Sequence, residues 1–149
     1  MIHQMEWQDF ERRLDAALLS LASVPEERIL IISDSTQPKR YVQFLTGNEW
    51  TYAEVASSKK YLPKELRLSK ETLAALKESG WRLNRSIDNL FAEAKVTEPD
   101  KRADIAGKAV IGLRDGHKVD SPARLQYECF TQIDGISVAV PELGLTGHH

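Results

Sequence analysis

Residues 61–81, YLPKELRLSKETLAALKESGW, mark the place where a run of strand-like segments gives way to helical ones. Tyr61-Leu62-Pro63 interrupts extended structure, because proline fixes φ and lacks the amide donor a sheet ladder needs. Leu66 and Leu68 supply anchors to a core. Ser69 then offers a side-chain oxygen to the first turn of a helix that carries Leu73 and Leu76 on one face. Glu71 near its start and Lys77 near its end suit the helix dipole. Gly80 can adopt the left-handed conformation that ends a helix, and Trp81 is expected to fold back as a hydrophobic clasp. These residue types are structural rather than reactive.

Upstream, Trp7, Phe10, Leu14, Leu18 and Leu21 recur at steps of three or four, which predicts an amphipathic helix over residues 6–23, ended by Val24-Pro25. Residues 28–33, RILIIS, form a β-branched run without helical period and read as a strand that is central or buried on both faces. Asp34-Ser35-Thr36-Gln37-Pro38 supplies a turn. Residues 40–46 and 50–56 read as two further strands joined at Gly47-Asn48, giving a three-stranded antiparallel meander. Tyr41, Trp50 and Tyr52 are a candidate aromatic platform on one sheet face, with packing beneath the first helix as the competing expectation. Trp7 and Phe10, on the stripe of that helix, either face the core or meet a partner.

Downstream, Ile87, Leu90, Phe91 and Ala94 fit one face of a short helix behind Ser86. Thr97 is a cap for the next helix, with Pro99 in its first turn and Ile105, Ala109, Ile111 and Leu113 leading to Gly116. Gly107 and Gly112 cost that helix about 1 kcal/mol each relative to alanine, which implies close packing. Ser121-Pro122 opens a short helical turn reaching Glu128. Residues 129–140 are read as a candidate C-terminal hairpin around Asp134-Gly135. The expected class is α+β: an N-terminal helix, the meander, then helices packed on the sheet.

The 149 residues are 42% hydrophobic, which suits a single domain over 1–149, and 20 basic against 22 acidic residues exclude a basic nucleic-acid footprint from the totals. No run approaches the ~20 apolar residues of a membrane span. The single Cys129 cannot form an intramolecular disulfide; a buried, inert thiol and a cytoplasmic setting are expected. His3, His117, His148 and His149 offer no helical pair spaced for a metal, and the terminal pair suits an expression tag. Gly107-Lys108 lacks the glycine spacing and following hydroxyl of a phosphate loop. Glu54, Glu65, Asp104 and Asp115 are scattered, so no acid/base dyad is read from them and no cofactor is expected.

The landmarks Tyr61-Leu62-Pro63, Arg67-Leu68-Ser69, Leu76 and Gly80-Trp81 continue into Asp88-Asn89-Leu90-Phe91, Leu113-Arg114, and Ser121-Pro122-Ala123 with Leu125 and Tyr127. Together, over about residues 5–128, they resemble the TY-Chap family of actinobacterial domains, related to type III secretion chaperones and YbjN proteins. The resemblance implies a non-enzymatic protein-binding module that holds a client such as a toxin or secreted effector, with homodimerisation by analogy. An immunity protein bound to a cognate toxin is the alternative. Trp7, Phe10, Tyr41, Trp50 and Tyr52 are the candidate partner-binding residues.

Overall fold

A computed structural model describes residues 5–84 and 86–147. Helix α1 spans Trp7–Ala22 and buries Phe10, Leu14, Ala17, Leu18, Leu21 and Ala22, the stripe its periodicity predicts. Strands β1 (Arg28–Asp34), β2 (Gln37–Gly47) and β3 (Trp50–Val55) follow as the expected antiparallel meander. β2 begins earlier than its sequence suggests. Pro38 is tolerated there because β3 pairs with β2 only from Val42 onward, so the missing amide breaks no bond to β3. Asn48 and Glu49 both have positive φ, 51° and 70°, which gives a two-residue turn of the primed type that matches sheet twist.

The transition stretch behaves as its residues dictate. Lys64–Leu66 makes one 3-10 turn, and Ser69 Oγ accepts from the Thr72 amide at 3.1 Å to cap helix α2 (Lys70–Glu78). Gly80 ends it with φ 109°, and Trp81, 1% exposed, donates its indole N–H to the Lys108 carbonyl at 3.0 Å.

The next segment departs from expectation. After the short strand β4 (Arg82–Asn84), residues Ile87–Lys95 form strand β5, not a helix. Ile87, Leu90, Phe91 and Ala94 satisfy a helical period, but Leu90, Ala92 and Ala94 also alternate. Pairing with β3 and a lock at Asn89, whose Oδ1 accepts from the Ser57 and Ser58 amides at 3.0 Å, select the strand. Helix α3 (Pro99–Val110) starts with Pro99 at its first position and is preceded by Glu98, not capped by Thr97. A π-helical turn, Ile111–Gly116, continues it. A Cβ on Gly112 would sit 3.1 Å from a Val55 methyl, which accounts for that glycine by close packing.

Ser121 Oγ caps Pro122–Arg124 as expected, but this 3-10 turn stops after three residues and Leu125–Thr131 becomes strand β6. The C-terminal hairpin narrows to a single bridge between Phe130 and Ser137 around Gly135, φ 67°. The chain then turns through Pro141–Leu143 against α1, and β7 (Thr146–Gly147) runs parallel to β6. The sheet order is β4-β5-β3-β2-β1-β6-β7. Its edges are guarded on one side by β7 and on the other by the three residues of β4 beside the charged Glu93 and Lys95.

Both long helices lie on one face. Across the sheet, Ala92, Ala53, Phe44, Leu30 and Cys129 form one buried row, and Leu90, Val55, Val42, Ile32 and Tyr127 the next. α1 and α3 cover these rows with Leu14, Leu18, Ile105, Ala109 and Leu113. Arg102 ties the two helices together by donating to Asp15 at 2.8 Å. β1 is therefore central, as its aliphatic run suggests, but it is covered on one face only.

Candidate functional site

Strand alternation places every second residue of the meander on the face opposite the helices. Phe130, Ile29, Leu45 and Tyr52 stand side by side there on β6, β1, β2 and β3, an apolar row crossing four strands. Each of the four is half-buried. One pleat step along, Glu128, Ile31, Gln43, Glu54 and Phe91 form a mixed row, and beyond it Gln126, Ser33 and Tyr41 a polar one. No described helix overlies these rows.

Aromatic and electrostatic contacts give the face its relief. Tyr52 stacks on Phe91 with ring centres 5.6 Å apart, and the Arg82 guanidinium lies over the Phe91 ring, 4.8 Å from its centre. A recess of about 410 Å³ opens between Ile31, Pro38, Tyr41 and Glu128, and a smaller one of about 180 Å³ between Leu45, Trp50, Tyr52 and Glu93. Burial, reinforced by Glu54 and Glu93, pushes the Tyr52 hydroxyl up to about 12, so it stays protonated, and it has no hydrogen-bond partner among the described residues. Burial also raises the Glu54 carboxyl; Asp88 adds to this and a hydrogen bond from Asn89 opposes it. Tyr41 is raised by burial, with Asn89 Nδ2 donating to its hydroxyl at 3.5 Å.

The five residues singled out in the sequence divide between two layers. Tyr41, Tyr52 and Trp50 all stand on the open face but form no single cluster: Trp50 and Tyr52 line the smaller recess, and Tyr41 lines the larger one two rows away. Trp50 is 52% exposed. Trp7 and Phe10 do not join them: they pack edge to face at 5.8 Å on the helical side, and Phe10 has no exposed surface. Phe10 is a core residue, because the stripe of α1 faces the sheet. Sequence reasoning passed over Ile29, Ile31, Leu45 and Phe130. For Ile29 and Ile31 the signal was a strand run apolar at both parities, RILIIS at 28–33; Leu45, beside Phe44, carried a similar one.

Other groups read from the sequence are accounted for locally. Asp104 pairs with Lys108 one helical turn on, and Asp115 with Arg114, far in the fold from Glu54 on β3. Cys129 is 2% exposed and burial pushes its thiol up to about 11. Among the described residues no three His, Cys, Asp or Glu side chains gather to hold a metal ion, and no helix is long and apolar enough to cross a membrane. His3, His148 and His149 lie outside the described residues.

A seven-stranded sheet with helices on one face and an apolar row on the other makes this an α+β module. The chain belongs to the TY-Chap3 family, described as T3SS (YopN, CesT) and YbjN peptide-binding chaperone 3, whose model matches residues 2–131. That membership assigns it a chaperone-like, protein-binding role. Searches of curated proteins and of solved structures gave no match.

Proposed function

We propose that this protein holds an apolar segment of a client protein on the open face of its sheet. The observation that carries this reading is the half-buried row Phe130, Ile29, Leu45 and Tyr52, with the exposed Trp50 beside it and Tyr41 further along the same face, a face without helical cover. Burying such side chains is worth about 25 cal/mol per Å², and aromatic residues at the centre of a patch dominate binding. The family description, peptide-binding chaperone, supports the same occupant. In this reading Tyr41, Trp50 and Tyr52 touch the client, whereas Trp7 and Phe10 support the scaffold. The client is a secreted effector or toxin, and the protein acts in the cytoplasm.

Titration of the protein with fluorescently labelled unfolded client segments tests this. Tyr52→Ala should weaken binding more than about fivefold, the loss of a hot-spot side chain, while the variant stays folded at the assay temperature with a midpoint lowered only by the lost stack on Phe91, worth about 1 kcal/mol. Tight one-to-one binding of a folded toxin, with no affinity for unfolded segments, would instead establish an immunity protein. Sedimentation with and without the segment reports whether the binding unit is a monomer or a homodimer.

A further inference from the structure

Apolar and acidic positions on the open face are segregated by row. Phe130, Ile29, Leu45 and Tyr52 fill the apolar row, and Glu128 and Glu54 stand in the next one with Ile31 and Gln43 between them. Three strand spacings of ~4.8 Å separate the two carboxylates by about 14 Å. Neither makes an ion pair among the described residues, whereas Glu93 is paired with Arg82 at 3.6 Å, and Glu27 lies on the other side of the apolar row, beside Leu45 and Trp50. Lys95 sits at the far corner opposite Trp50, and Lys39 lies toward the other end of β2. The middle of the face is therefore apolar and net negative. Half-burial penalises the Glu54 charge, so a cation brought beside it relieves an existing cost.

Resting on the reading that this face holds a client, we propose that the segment it selects is apolar and basic: an extended stretch laid on the Phe130–Tyr52 row, with lysine or arginine side chains reaching Glu54 and Glu128. At ~3.3 Å per residue, the two basic positions fall about four residues apart. The carboxylates choose among apolar segments by charge, and they reject acidic ones by repulsion.

The test uses one labelled apolar peptide in three forms, carrying two lysines four residues apart, two glutamines there, or two glutamates. Fluorescence anisotropy against the full chain should rank lysine above glutamine above glutamate, with roughly three- to tenfold between the first two. High salt should remove that preference without abolishing binding. The double variant Glu54→Gln with Glu128→Gln should equalise the lysine and glutamine forms, and Leu45→Ser should weaken all three. Equal binding of the lysine and glutamine forms, or a preference that survives the double variant, overturns the charge selection while the site stands. If Leu45→Ser and Tyr52→Ala leave every peptide bound as before, the site itself is wrong, and if no peptide binds, both fall.

Discussion

His117 is the most heavily perturbed group in the fold with a titration inside the working pH range. It follows the π-helical turn, is 3% exposed, and bonds to the Ala56 backbone, while its Nε2 has no partner among the described residues. Burial pushes its pKa down from 6.5 to about 4; the bond to Ala56 and the charge of Asp34 oppose this and Arg40 adds to it. Between those two values the unfolded chain carries a proton on this ring and the folded chain does not. The stabilisation is therefore complete above pH 6.5 and drains away as pH falls toward 4. At 1.36 kcal/mol per unit, acidification to pH 5 removes about 2 kcal/mol from this residue alone. His117→Asn retains an N–H for Ala56 and cannot titrate. Urea unfolding of both proteins at pH 7.5 and pH 5 isolates the effect, since the carboxylates are common to both. The stability difference between them should move by about 2 kcal/mol in favour of the variant, about 1 M in midpoint at a typical urea slope. Parallel pH profiles would refute the assignment of a buried, neutral imidazole.

Three further outcomes follow from particular contacts. Asp34 has no exposed side-chain surface and accepts from Thr36 N at 2.9 Å, Thr36 Oγ at 2.7 Å and Arg124 at 2.8 Å, with Arg40 at 3.5 Å. Asp34→Asn keeps the shape but turns a donor toward Arg124, so it should cost about 2–3 kcal/mol at pH 7 by chemical denaturation. Although burial alone would raise the Asp34 pKa, Thr36 and the two arginines hold it below 3.8, so the penalty should persist at pH 5 and fade only under stronger acid. Glu49→Gly relieves a side chain at φ 70° in the β2–β3 turn and should raise stability by about 0.5–1 kcal/mol, read as a higher urea midpoint. Cys129 should resist alkylation in the native protein and react at the rate of unfolding in denaturant; rapid labelling under native conditions would contradict its burial.

The parts of the fold visible in the sequence were those set by neighbours in the chain. The stripe of α1, the aliphatic run of β1, the tight β2–β3 connection, which falls at Asn48-Glu49 one residue on from Gly47-Asn48, and the Ser69 and Gly80 caps each rest on interactions spanning a few residues. What escaped was decided at a distance. Residues 87–95 carry apolar positions that suit either period, and only the vacant edge of β3 makes them a strand. Likewise, Leu125 to Glu128 leave the helical path because β1 pairs them in register with Asp34 to Ile31. The candidate face was half visible: its aromatic residues stood out, but Ile29, Ile31 and Leu45 are ordinary strand residues until the helices are seen to occupy one side.

The guarded edges have a consequence for recognition. Where a sheet offers a free edge, a guest strand joins the ladder and its register is fixed by main-chain hydrogen bonds. Here β7 closes one side and short β4, with Glu93 and Lys95 beside it, blunts the other. In the proposed reading a guest on the open face meets side chains only, so it can shift by a pair of residues or reverse direction without losing a ladder. Its placement is then set by where its apolar and basic side chains fall, and unrelated sequences that share that pattern compete for the face.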